Sequence, residues 1–222
     1  MENNTFQTIK GQIEEWIQLD YIFPKDIPAI ELYMDQITTF MDKHLAGNKR
    51  HADDKILTKT MINNYSKNNL LPPSDKKKYS KDHIILLIYI FYLKNFLSIN
   101  DIQQLLKPMT DTYFQADTGI TMSDIYEDLF HLEQEYGLKV RESIQEIYEI
   151  ADNKFNPNDD YLKTFAMITM LSYDIYAKKQ LVEKLIDSLH TEPATKAELK
   201  EAKEFAKQKE KTEKQKKKEL QE

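Results

Sequence analysis

Ten consecutive apolar residues, Ile84 to Leu93, stand between His83 and Lys94 and place the first constraint on the fold. A bilayer span needs about 20 such residues, so the run reads as a buried helix and not as a membrane segment. A helix apolar around nearly its whole circumference must be covered on more than one side. The expectation is therefore one composite core, in which helices 29–45 and 121–152 pack over a helix at 80–95.

Turn chemistry narrows the class. Glycine occurs four times, and no Gly-Gly or Asn-Gly dipeptide is present, whereas a β-rich chain needs such turns repeatedly. Leu, Ile, Lys, Glu and Gln are abundant and favour helices, so the expected fold is all-α. At 222 residues the chain can bury one good core or two small ones. It has no cysteine, which excludes disulfides, cysteine-ligated zinc and catalytic thiols. The first residues lack the charged-then-apolar pattern of a signal peptide, and a cytoplasmic location is expected.

The apolar spacing predicts a first helix over 5–19, with Phe6, Ile9, Ile13, Trp16 and Ile17 on one side. The segment Pro24 to Pro28 breaks it. A second helix over 29–45 carries Leu32, Ile37, Phe40, Met41 and Leu45. A polar loop over 46–55 contains Lys49, Arg50 and His51. Thr58 is the expected N-cap of a short helix, since its hydroxyl can accept from an orphan N–H of the first turn. That helix runs over 59–68 and ends at Asn68-Asn69, because Asn tolerates the left-handed conformation. Pro72-Pro73 forbids a restart. Lys76 to Tyr79 is a short basic excursion, read as a small β-wing. Ser80 caps the apolar helix, and Ser98 caps another ending at Leu106.

Residues Leu57, Thr58, Ile62, Tyr65, Leu70, Leu71 and Pro73 resemble the recognition-helix motif of MerR-type regulators, Val-Ser-x-x-Thr-(Ile/Leu)-Arg-Tyr-Tyr-Glu-x-x-Gly-Leu-Leu-x-Pro. Downstream, Tyr79-Ser80, Ile84, Leu87, Ile90, Leu93, Ser98, Ile99, Ile102 and Leu105-Leu106 follow that family's wing end and next two helices. With Glu31 to Phe40, the chain looks still more like an uncharacterised Gram-positive bacterial family that is distantly MerR-like. The resemblance implies a winged helix-turn-helix that binds double-stranded DNA. It departs from the MerR pattern at Asn63, where the family has a phosphate-contacting Arg, and at Asn69, where it has Gly. The loop over 46–55 is also longer than the family's tight turn.

The residues support the same placement. On the 59–68 helix, Met61, Ile62 and Tyr65 can pack inward, while Lys59, Thr60, Asn63, Asn64 and Lys67 can face out. Asn, Lys and Thr suit base edges and phosphates. Lys76, Lys77 and Lys78 stand where a wing would meet the backbone. The candidate DNA-binding set is thus Thr58, Lys59, Thr60, Asn63, Asn64, Tyr65, Lys67, Lys76, Lys77, Lys78 and Tyr79. Tyr65 has two readings, phosphate contact or core, and Tyr79 is read chiefly as an anchor of the wing. Net charge is −6, but residues 49–82 are net positive and 111–160 strongly negative. A basic patch on an acidic chain is still an electrostatic footprint for nucleic acid.

From Thr121, Met122, Ile125, Leu129, Leu132, Tyr136, Val140, Ile144, Ile147 and Ala151 step by three or four and predict one long helix. After the turn at 156–159, Tyr161, Ile168, Ile175, Val182 and Leu189 recur every seven residues, the mark of a coiled-coil-like contact. That stripe can pack back on 121–152 or pair with a second copy as a homodimer. From Ala194 the chain is Lys/Glu-rich with almost no large apolar residue, and reads as a solvated helix or a disordered tail.

No catalytic constellation is visible. The five histidines are scattered, no Gly-rich loop could cradle phosphate, and no metal or cofactor is expected. Tyrosines and methionines of the C-terminal half (Tyr126, Tyr136, Tyr148, Tyr161, Tyr173, Tyr176, Met122, Met167, Met170) could line a cavity for a small apolar effector, though such stripes are more often core. The expected organisation is an N-terminal helix and linker over 1–28, a winged helix-turn-helix over 29–108, a helical hairpin over 109–190 and a charged tail over 191–222. The expected function is a non-enzymatic transcription regulator. The competing expectation is a helical protein-interaction module that has lost DNA binding.

Overall fold

The computed structural model describes residues 6–17 and 20–189, and the expectation for the Lys/Glu tail lies outside them. The chain is predominantly helical. Helix α1 spans Phe6–Trp16. A two-residue strand β1, Leu32–Tyr33, leads directly into α2, Met34–Leu45. Helix α3 is Lys59–Lys67, strand β2 is Lys78–Tyr79, and α4 is Lys81–Leu93. Then follow α5, Ile99–Tyr113, the long α6, Met122–Lys154, and α7, Asp160–Leu189. No described helix is long and apolar enough to cross a membrane.

Local caps set most helix starts. The hydroxyls of Thr58, Ser98 and Thr121 accept from Met61, Asp101 and Asp124 N–H. At α4 the reciprocal half is a histidine, for the Ser80 N–H donates to His83 Nδ1 at 3.0 Å. Each such cap contributes about 1 kcal/mol.

Helix α4 is the axis of the core. Ile84, Ile85, Leu86, Leu87, Ile88, Ile90 and Phe91 are all buried, and α4 packs against α6, α5 and β2. This is the multi-sided cover that its apolar circumference demands. Tyr92 and Tyr126 carry their hydroxyls outward to backbone, donating to the carbonyls of Asp20 (2.9 Å) and Ile22 (2.7 Å). A second cluster joins α1, the end of α6 and the start of α7 around Phe6, Ile13, Tyr148, Ala151 and Met167. Lys163 is buried there, its Nζ donating to Asp152 at 2.7 Å and lying 5.8 Å from the Phe6 ring centroid. The described residues up to Lys184 form one compact unit, so the 29–108 segment is embedded in a larger body; Leu185–Leu189, the end of α7, belongs to a second unit.

Several expectations need correction. Residues 29–33 are not the start of α2. Leu32 and Tyr33 are extended because they pair, antiparallel, with Tyr79 and Lys78. Helix α5 continues past Pro108 to Tyr113 instead of ending at Leu106. Pro108 is exposed, and the end of the helix is tied to α4: the Gln115 N–H donates to Asp82 at 2.7 Å, and the Phe114 ring meets the His83 ring edge-on. Trp16 is exposed and outside the core face of α1. Along α7 the heptad residues Tyr161, Ile168 and Ile175 are exposed and Val182 is half-buried, while Lys163, Met167 and Ile186 are buried. Leu132, Tyr136, Leu138 and Val140 of α6 are exposed as well.

Candidate nucleic-acid interface

Helix α3 is positioned from both ends. Before it, Ile56 and Leu57 are buried, and Lys94, at the end of α4, donates from Nζ to the Ile56 carbonyl at 3.1 Å. Burial pushes the Lys94 pKa down, and the carbonyl satisfies the ammonium there. After α3, Asn69 adopts φ 55° and the Leu70 N–H returns to the Tyr65 carbonyl at 2.9 Å, a left-handed C-terminal cap. Leu70 and Leu71 then plug into the core.

The long link from α2 to α3 is folded, not slack. A short 3-10 turn, Ala46–Asn48, follows α2. The Asp20 carboxylate accepts the Gly47 N–H at 2.6 Å, and Asn48 exchanges two hydrogen bonds with the Asp20 backbone. Further on, Asp54 accepts from the N–H groups of Arg50 and His51. Lys49 is neutralised by Asp42 at 2.6 Å.

Outward from α3 the side chains of Lys59, Thr60, Asn63, Asn64 and Lys67 are exposed, and Thr58 is the half-buried N-cap. Ile62 and Tyr65 are buried. Tyr65 is therefore a core residue, and burial raises its pKa. Lys59 is ion-paired with Asp35, a partner that sequence reasoning missed.

The basic excursion is a tight turn. Lys78 N–H donates to the Asp75 carbonyl at 2.7 Å, and the two central residues, Lys76 and Lys77, have φ of 46° and 66°. Two consecutive left-handed residues define a type I′ turn, which normally takes Asn-Gly. Lys76 and Lys77 are exposed, and Lys78 is half-buried, with its Nζ 5.8 Å from the Tyr33 ring centroid. Tyr79 is buried against the edge of the His83 ring. It anchors the turn and is not available to a ligand.

His83 is only 2 % exposed. Burial pushes its pKa down, opposed by the Pro73 and Pro72 carbonyls and by Asp82 and Glu31. The ring links the strand, through Tyr79, and the residue after α5, Phe114, to the start of α4.

A DUF1836 domain, a domain of unknown function, covers residues 22–129. No curated protein and no solved structure matches the chain. The DUF1836 domain holds β1 to α5 and the first turns of α6, and so contains all eleven sequence-selected residues. Of these, Tyr65 and Tyr79 are in its core and the other nine are at least partly exposed. The aromatic and Met residues considered for an effector are dispersed. Met122 and Tyr126 are buried near the start of α6, Tyr148 and Met167 are buried in the α1–α6–α7 cluster, and Tyr136, Tyr161, Tyr173 and Tyr176 are exposed.

Proposed function

We propose that the DUF1836 domain is a MerR-like winged helix-turn-helix that binds double-stranded DNA, and that the protein is a transcription regulator. The observation that carries this reading is a juxtaposition. Tyr33 and Asp35, two residues apart, touch Lys78 of the basic turn and Lys59 of α3 respectively. The strand, the helix pair and the basic turn therefore share one edge of the domain. In this reading α3 enters the major groove with Thr60, Asn63 and Asn64 toward base edges, and Lys67, Lys76 and Lys77 meet phosphates. The order β1, α2, α3, β2, with the last strand pairing the first, supports a minimal wing.

The alternative is a helical interaction module. The Lys59–Asp35 ion pair favours it, because it occupies one cation of the presumed DNA face. Fluorescence anisotropy with random duplex separates the two. DNA binding predicts micromolar affinity that falls steeply with salt, at about 0.9 in the logarithmic slope per neutralised phosphate. Replacing Lys76, Lys77 and Lys78 with Ala flattens that slope. Absence of binding at low salt leaves the interaction module as the better account.

A further inference from the structure

Over residues 161–176, helix α7 is apolar on two opposite faces and only one of them is covered, whereas Ile186, five turns beyond Ile168 on the same stripe, is buried. Lys163 and Met167 face the α1 and α6 cluster. Across the helix, Tyr161, Phe165, Ile168, Ile175 and Tyr176 are 77, 56, 57, 64 and 62 % exposed. At 100° per residue these five fall within one stripe, with Ser172 at its centre. Side chains of this size present roughly 150–250 Å² each, so the stripe offers about 600 Å² per copy. A monomer seldom leaves a larger apolar patch in water.

We infer that this face of α7 pairs with the same face of a second copy, in antiparallel orientation. Two stripes together bury about 1,200 Å², the lower edge of a stable interface. The seven-residue recurrence makes the face self-complementary, as a two-fold contact requires. A dyad between Leu171 and Ser172 brings Ile168 opposite the partner's Ile175 and Tyr161 opposite the partner's Val182. Charge fixes the orientation. Lys179 lies on the same stripe, about five turns beyond Tyr161. Lys179 is ion-paired with Glu183, and a parallel pair would bury two such ion pairs side by side in the seam, where their desolvation is costly. The antiparallel pair separates them and puts each Lys179 over the partner's Phe165 ring, where a cation is attracted. The tail from Ala194, built mainly of Lys and Glu, is a poor match for such an apolar stripe.

The experiment uses the full chain. Light scattering at concentrations well above micromolar is expected to give a dimer mass. Ile168→Glu with Ile175→Glu is expected to give a monomer with an unchanged far-UV circular dichroism spectrum, because both side chains are exposed in the single chain. The chain has no cysteine of its own, so introduced thiols report alone. A mixture of I168C and I175C proteins should cross-link to each other on oxidation, and neither should cross-link to itself. A monomer at all concentrations, or a dimer that survives the double Glu variant, overturns the proposal. Self-cross-linking of I168C overturns the antiparallel arrangement.

Discussion

Tyr33 and Lys78 face each other across the two-stranded sheet, with the lysine ammonium over the tyrosine ring. The pairing holds the start of the α2–α3 pair to the arm that ends in Lys76 and Lys77. It lets strain and charge in that arm be separated by mutation.

Lys76 and Lys77 occupy left-handed backbone that costs L-residues roughly 1–2 kcal/mol each. Replacing them with Asn and Gly, the residues a type I′ turn prefers, is expected to raise stability by about 1 kcal/mol or more in urea unfolding. The same double variant is expected to weaken duplex binding. Loss of stability would show that the turn is not of this type.

Asp35 is the electrostatic brake on α3. Asp35→Asn frees Lys59 and removes a negative charge beside the proposed DNA face. Duplex affinity at low salt is expected to rise, and the salt slope to steepen by up to about 0.9 as one more phosphate is neutralised. An unchanged slope in anisotropy titrations would place Lys59 away from the nucleic acid.

Gly47 has room for a side chain only if the Asp20 carboxylate moves aside. A Cβ there would stand 2.6 Å from the Asp20 carboxylate oxygen that accepts its N–H. Gly47→Ala must displace that carboxylate and break the link between residue 20 and the turn after α2. A loss of about 1–3 kcal/mol is expected, read as a lower midpoint in thermal unfolding, with D20A giving a loss of the same order.

The buried ring of His83 makes stability depend on pH. Its folded pKa is below the free value, so the unfolded state takes up the proton first. The His83 contribution is fully present above the unfolded pKa of about 6.5 and is lost as pH falls through the lower folded value. Denaturant midpoints measured from pH 8 down to pH 5 should fall with acid. His83→Gln should be less stable at pH 8 and show a shallower decline. A wild-type profile flat over that range would mean that the ring is not held neutral.

The helices were largely legible because their signals are local. Thr58, Ser80, Ser98 and Thr121 each announce a helix start from within three residues, and Asn69 announces an end. Strand β1 was hidden for the opposite reason. Leu32 and Tyr33 are extended only because Lys78 and Tyr79 arrive from far along the chain, and nothing within 29–33 distinguishes strand from helix. On the candidate surface, the outward set of α3 could be read from periodicity, but Asp35 could not, since its contact with Lys59 depends on how α2 meets α3. The seven-residue repeat of α7 was visible, yet the sequence shows two apolar faces and does not say which one the chain itself covers. Lys163, the least expected core residue, is buried because Asp152 and the Phe6 ring meet it there.

The Phe6 ring lies flat against Tyr148 at 4.6 Å, and the tyrosine hydroxyl reaches back to the Phe6 carbonyl. The opening helix of the chain thus docks on elements made near its end. At roughly 5–20 residues per second of synthesis, α1 waits on the order of ten seconds for its partners while the ribosome extends the chain. Its Phe6, Ile9 and Ile13 side chains are bare during that interval. Nascent chains of this protein should therefore be clients of ribosome-associated chaperones until Met167 has emerged, and a fusion at the N-terminus would burden the last step of assembly, not the first.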